Sequence, residues 1–205
     1  MKVKICGIRT VEAAQHAVQS AADALGFVFA DSKRKITALE AKEIIEALPE
    51  HVWKVGVFVN EGAAKIKMIA ETAGLTHIQL HGNEVPDDYR SIGLPLIKAV
   101  SVKSPDDLKK IDTIKADYIL LDSPPAEYRG GNGSSFEWDL AKAIGKSNTN
   151  IILAGGLDPQ NISKAIAKVN PLMVDVSSGV ETNGEKDFAK IKTFINNAKN
   201  EREEV

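Results

Sequence analysis

The chain has 205 residues, 43% hydrophobic and 26% charged, an ordinary globular balance with enough length to bury one substantial core. With 26 Lys and Arg against 28 Asp and Glu, the formal net charge is -2, which excludes a global basic field for nucleic acid and leaves any anionic ligand to a local site. No apolar run approaches the roughly 20 residues that span a bilayer, no signal-peptide stretch opens the chain, and one cysteine cannot form an intramolecular disulfide. The expectation is a soluble cytoplasmic protein, with residues 1–205 forming one domain.

Short runs rich in apolar and β-branched residues predict eight strands, over 3–6, 24–29, 53–59, 76–80, 95–100, 118–121, 150–153 and 172–176. Between them, apolar residues at helical spacing predict helices over 10–20, 37–47, 62–73, 159–167 and 187–198. Capping residues mark helix starts: Thr10 precedes Val-Glu-Ala, Thr37 precedes Ala-Leu-Glu, and Ser104-Pro105 opens an acidic turn. Such alternation requires a parallel sheet covered by helices, because parallel strands need crossovers and are apolar on both faces. Eight units suggest closure, so the expected fold class is α/β, a single-domain (β/α)8 TIM barrel. An open doubly wound sheet is the competing architecture, although no Gly-x-Gly-x-x-Gly follows a strand to mark a dinucleotide site.

In a barrel of this kind the site is built at the C-terminal ends of the strands. Cys6 closes the first strand. A free cysteine is commonly a small core hydrophobe, and in this position it is also a candidate nucleophile or base; no Cys/His cluster with metal-ligand spacing surrounds it. His81 follows the fourth strand, Asp122 the sixth, Gly155-Gly156 the seventh and Ser177-Ser178-Gly179 the eighth. Glycines admit backbone N–H groups close to a phosphate and serines add donors, though glycines also simply turn a strand into a helix. Their occurrence after strands seven and eight, where such barrels commonly hold phosphate, favours a phosphorylated ligand. The cluster from Asp31 to Lys35 is either a solvated turn or a rim from which Arg34 makes a paired hydrogen bond to a carboxylate. The Pro- and Gly-rich stretch 123–136 reads as a substrate-covering loop or as a surface insertion.

Taken in order, Lys4-Ile5-Cys6-Gly7-Ile8, Gly26-Phe27-Val28-Phe29, Gly56-Val57-Phe58, Gln79-Leu80-His81-Gly82, Asp122-Ser123, Gly130-Gly131-Asn132-Gly133, Ala154-Gly155-Gly156-Leu157 and Asp175-Val176-Ser177-Ser178-Gly179-Val180-Glu181 closely resemble the phosphoribosylanthranilate isomerase family over almost the whole chain. The resemblance implies an enzyme of tryptophan biosynthesis that converts N-(5-phosphoribosyl)anthranilate into 1-(2-carboxyphenylamino)-1-deoxyribulose 5-phosphate by an Amadori rearrangement, without metal or organic cofactor. It implies Asp122 as the general acid that opens the furanose ring and Cys6 as the general base that takes the proton from C2. It further implies Arg34 near the anthranilate carboxylate, Gly155, Gly156, Ser177 and Ser178 on the phosphate, and His81 and Asp175 lining the pocket. The expected partner is a small phosphorylated molecule, with no nucleic acid and no membrane, and the expected state is a monomer or homodimer. Two departures stand out: Lys33 occupies the place of a common family proline, and Asn132 that of a common threonine.

Strand side chains alternate, so Lys4 shares a face with Cys6, about 6.6 Å lower at roughly 3.3 Å per residue. If that face is the barrel interior, Lys4 is a buried cation and Asp175 on the closing strand is placed to pair with it; if not, Lys4 points into solvent. In the first case Lys4 lends positive potential to the Cys6 thiolate while Asp175 partly neutralises it. Two other functions remain open: a Schiff-base aldolase using a buried lysine, and a phosphate-ligand binding barrel without chemistry. The low position of Lys4 on its strand argues against the first, and the presence of both Cys6 and Asp122 against the second.

Overall fold

The computed structural model describes residues 1–102, 111, 113–122, 138 and 150–200. Eight parallel strands close in chain order into a barrel: β1 (Lys2–Cys6), β2 (Ala24–Val28), β3 (Trp53–Phe58), β4 (His77–Leu80), β5 (Leu96–Ser101), β6 (Tyr118–Asp122), β7 (Ile151–Leu153) and β8 (Met173–Val176). The β1–β8 pairing rules out the open doubly wound sheet. Helices α1 (Val11–Gln19), α2 (Ala38–Glu46), α3 (Ala63–Ala73), α4 (Ile162–Val169) and α5 (Phe188–Asn200) accompany it among the described residues. The expected cap at Ser104-Pro105 and the stretch 123–136 lie outside those residues. None of the described helices is long and apolar enough to cross a membrane.

The helix starts follow from local chemistry. Thr10 Oγ1 accepts from Ala13 N at 3.2 Å, and Thr37 forms a reciprocal capping box with Glu40, each arrangement contributing about 1 kcal/mol. The helix expected over 159–167 begins instead at Ile162. Asp158 Oδ1 accepts from Gln160 N and Asn161 N at 2.8 and 2.9 Å, and Asn161 Oδ1 accepts from Asp158 N at 3.0 Å, a closed turn that competes with helix. A 3₁₀ helix (Pro86–Ile92) occupies the β4–β5 connection, where no helix was expected. After β8 a short hairpin forms from β9 (Glu181–Thr182) and β10 (Glu185–Lys186). Asn183 and Gly184 at its tip have φ of 53° and 84°, the left-handed pair that a tight two-residue hairpin turn requires.

Period-two alternation sorts the strand residues into two cores. Val3, Ile5, Leu25, Phe27, Ile78, Leu96, Ile119 and Val174 share one buried cluster with helix residues such as Ala14, Ile44, Ile66, Ile166 and Phe194. Ala24, Val55, Ile97, Leu120, Ile152 and Met173 form a second cluster, contributed by the inward positions. Full burial of each large side chain is worth about 1.5–3 kcal/mol. The N-terminal end of the barrel is closed by aromatic rings. Trp53 stacks on His77 at 4.0 Å between centroids, Tyr118 tilts against Trp53 at 5.1 Å, and Lys2 Nζ lies 4.6 Å from the Trp53 ring. Burial, with help from Lys2, pushes the His77 pKa down to about 4, so this ring is a neutral packing group at physiological pH. With one end plugged, polar chemistry is concentrated at the other.

Candidate active site

The register of β1 sets the base of the site. Lys4 is opposite Ala24 on β2 and Asp175 on β8, and Cys6 is opposite Gly26. Lys4 has no exposed surface, and its Nζ donates to both oxygens of Asp175 at 3.0 Å. The interior reading of Lys4 is therefore the one the fold adopts. A fully buried ammonium held by both carboxylate oxygens is also poorly placed to act as a Schiff-base nucleophile. Cys6 is 8% exposed. A Cβ on Gly26 would lie 2.7 Å from Cys6 Sγ and 3.1 Å from Lys4 Nζ, so the missing side chain on β2 is what lets thiol and ammonium share one space.

Burial pushes the Cys6 pKa up; Lys4 pulls it back, Asp175 adds to the rise, and Lys186 opposes it. The net direction is upward, so the resting group is a thiol. Burial also works against the Lys4 charge, but Asp175 and then Cys6 outweigh it and carry the lysine above its ordinary value.

The nine residues that the resemblance assigns to catalysis or binding line one cavity of about 670 Å³: Cys6, Arg34, His81, Asp122, Gly155, Gly156, Asp175, Ser177 and Ser178. The volume suits a small organic ligand. On one side the ends of β7 and β8 approach at backbone level, since a Cβ on Gly179 would lie 1.9 Å from the Leu157 carbonyl oxygen. Gly155 and Gly156 hold φ of 81° and 63°, a conformation that side chains rarely tolerate. Ser177 Oγ donates to the Cys6 carbonyl at 3.1 Å, tying this end to β1. Across the cavity, His81 Nε2 lies 3.2 Å from Asp122 Oδ2, and Gln79 Nε2 lies 2.9 Å from His81 Nδ1.

Arg34 is engaged within the protein as well as lining the cavity. Its Nε and Nη2 donate to Glu181 Oε1 and Oε2 at 2.7 and 2.8 Å, a two-bond pairing that leaves Nη1 to be used elsewhere. Lys186 Nζ donates to Glu181 Oε1 at 2.8 Å and to the Ser177 carbonyl at 3.0 Å. Burial opposes the Glu181 charge, but the hydrogen bonds from Arg34 and Lys186 outweigh it and hold this carboxyl at about 2. Gln79, Glu181 and Lys186 were given no role on sequence grounds. The Asn183-Gly184 pair was the available signal for the hairpin that carries Lys186. Nothing in the spacing of positions 34 and 181 announces their contact.

A family model described as N-(5'phosphoribosyl)anthranilate (PRA) isomerase matches residues 3–197. An N-(5'-phosphoribosyl)anthranilate isomerase of Bacillus cereus (strain Q1) is 55% identical over 200 residues, covering 97% of this chain and 98% of that protein. The chain belongs to the phosphoribosylanthranilate isomerase family. Phosphoribosyl anthranilate isomerase from Thermotoga maritima superimposes with a TM-score of 0.89 at 44% identity, covering 97% of this chain and 98% of the other. A further isomerase structure, in complex with reduced 1-(o-carboxyphenylamino)-1-deoxyribulose 5-phosphate, gives a TM-score of 0.87 at 42% identity, with the same coverage. For a phosphoribosylanthranilate isomerase, the charge placement here is instructive. The inner pair, Lys4 with Asp175, is balanced. Behind the cavity wall three cations, Lys33, Arg34 and Lys186, converge on the single carboxylate of Glu181, a cluster with positive charge in excess.

Proposed function

We propose that the chain isomerises N-(5'-phosphoribosyl)anthranilate to 1-(2-carboxyphenylamino)-1-deoxyribulose 5-phosphate, with Asp122 as general acid and Cys6 as general base. The observation that carries the reading is the sharing of one cavity by Cys6 from β1, Asp122 from β6, the Arg34 guanidinium and the glycine-serine ends of β7 and β8. In the first step Asp122 gives a proton to the furanose ring oxygen. The C1–O bond breaks and the anilino nitrogen lone pair forms the C=N bond of an iminium. Cys6, after its thiol has lost its proton to solvent and with the thiolate held by the Lys4 ammonium, removes the C2 proton; those electrons form the C1=C2 bond and the C=N pair returns to nitrogen. The enolamine loses its hydroxyl proton and gains one at C1, giving the ketone. The proton taken by Cys6 balances the one given by Asp122, so the sequence is a net isomerisation. Gly155, Gly156, Ser177 and Ser178 hold the phosphate in this scheme. Incubating the purified chain with N-(5'-phosphoribosyl)anthranilate and following the loss of its fluorescence tests the activity. Turnover is expected, and a folded protein that leaves the signal constant would overturn the proposal.

Arg34 takes the anthranilate carboxylate with donors that Glu181 does not occupy. A bidentate partner fixes the plane of the guanidinium, which an unpaired side chain would leave free. Glu181→Gln keeps the shape but weakens the acceptor, and is expected to raise KM about tenfold, roughly 1.4 kcal/mol, with kcat within about threefold. Steady-state kinetics would show this split. The same substitution tested on the substrate analogue lacking the ring carboxylate should leave KM unchanged, and an equal rise for both compounds would reject the assignment.

A further inference from the structure

Gln79 stands on β4, 1% exposed, two residues before His81 and on the same strand face. Its Nε2 is 2.9 Å from His81 Nδ1. With the amide nitrogen as the atom facing the ring, it donates, Nδ1 accepts, and the proton of a neutral His81 belongs on Nε2. That N–H is directed at Asp122 Oδ2, 3.2 Å away. The three side chains form a directed chain in which each N–H donates to the next residue.

We propose that Gln79 is a positioning residue for the acid step: its amide holds His81 as the neutral Nε2–H tautomer, which engages Oδ2 of Asp122 and leaves Oδ1 to carry the transferable proton. The inference rests on the reading of Asp122 as the acid. Two consequences of the chain make it more than packing. A proton on Nδ1 would face the Gln79 NH2 group, donor against donor, so the amide contact selects the Nε2–H tautomer. The Nε2–H donor to Oδ2 also fixes the orientation of the Asp122 carboxyl group. The other titratable or charged groups lining the cavity are Cys6 from β1, Asp31 and Arg34 from the β2–α2 connection, and Asp175 from β8. Among the described residues, His81 is the group hydrogen-bonded to Asp122.

The second observation concerns the other end of the amide. Gln79 Oε1 is buried without a hydrogen-bond partner among the described residues, while Gln79 itself lines the cavity. A buried carbonyl oxygen left unpaired costs about 1–3 kcal/mol, an expense expected of a functional position rather than of a structural one. With no such partner on Oε1, the contact of Nε2 with His81 Nδ1 is what holds the amide in its orientation.

Ring-nitrogen NMR of the histidine-labelled protein tests the tautomer directly. The chain has four histidines, and His81→Asn identifies the signal by its loss. In the neutral His81 ring the proton is expected on Nε2, and a proton on Nδ1 would overturn the proposal. Gln79→Glu places a carboxylate where the amide donates, so Nδ1 gains a proton. The expected kinetic result is a kcat lowered about tenfold with KM changed by no more than about threefold; an unchanged kcat while the fold is intact would also overturn it. Full activity of Asp122→Asn would instead reject the reading of Asp122 as the acid. That outcome is separable, because the wild-type tautomer is measured without substrate.

Discussion

Asp122→Asn and Cys6→Ser are each expected to lower kcat about a thousandfold while changing KM by no more than about threefold. Proton transfer by a positioned side chain commonly contributes 10²–10⁴-fold, and a thousandfold loss is about 4 kcal/mol of transition-state stabilisation. The two substitutions remove the proton chemistry and little else. Asparagine keeps an oxygen that can accept from His81 Nε2, now 3.2 Å from Asp122 Oδ2, but it has no acidic proton to give the ring oxygen. Serine keeps the volume of Cys6 beside Gly26, where a Cβ would lie 2.7 Å from Sγ, but a hydroxyl is far less readily ionised than a thiol. Phosphate and carboxylate contacts lie at other points of the cavity, at Gly155, Gly156, Ser177, Ser178 and Arg34, so ground-state binding is largely retained. The fluorescence assay at saturating substrate measures kcat, and retention of more than a tenth of the wild-type value by either variant would reject its assigned role.

Much of the frame was legible because it depends on short-range regularities. Strand and helix periodicity marked the eight strands and most helix boundaries, and alternation within β1 was enough to put Lys4 and Cys6 on one face and Asp175 beside them. Where local chemistry competes with periodicity, the reading slipped. At the start of α4, proline and polar residues look like a helix entrance, yet Asp158 and Asn161 close a turn on their own backbone. The site residues were legible one strand end at a time, whereas their partners were not. The Arg34–Glu181 contact joins positions 147 residues apart through a two-stranded hairpin with no core of its own. The proton direction from Gln79 through His81 to Asp122 depends on which amide atom meets Nδ1, and no residue pattern encodes that.

The buried pair beneath the thiol gives the second large effect, because its two members act alike on stability and oppositely on the base. Asp175→Asn leaves the Lys4 ammonium uncompensated at a position with no exposed surface, and removing one partner of a buried pair typically costs about 3–5 kcal/mol. Lys4→Met is expected to cost less than half as much. Methionine fills the lysine stem with an apolar group, and the remaining carboxylate lines the cavity, where water can reach it. Burial opposes the Lys4 charge but Asp175 and Cys6 raise its pKa overall, so the stabilisation by this charge is fully present below the ordinary lysine range. It is lost only as alkaline pH passes the higher folded-state value. For the thiol the signs separate. Burial raises Cys6, Lys4 lowers it and Asp175 raises it. Lys4→Met should therefore push the thiol further up and move the acid limb of the kcat/KM profile to higher pH, whereas Asp175→Asn should move it to lower pH. Urea unfolding reads the first effect. Ultraviolet thiolate absorbance reads the second without ambiguity, since Cys6 is the only cysteine in the chain. Shifts of the thiol in the same direction for both variants would show that the pair serves the fold alone. Opposite shifts, with stability lowered in both, would place Lys4 and Asp175 as the two settings of one electrostatic control on the base.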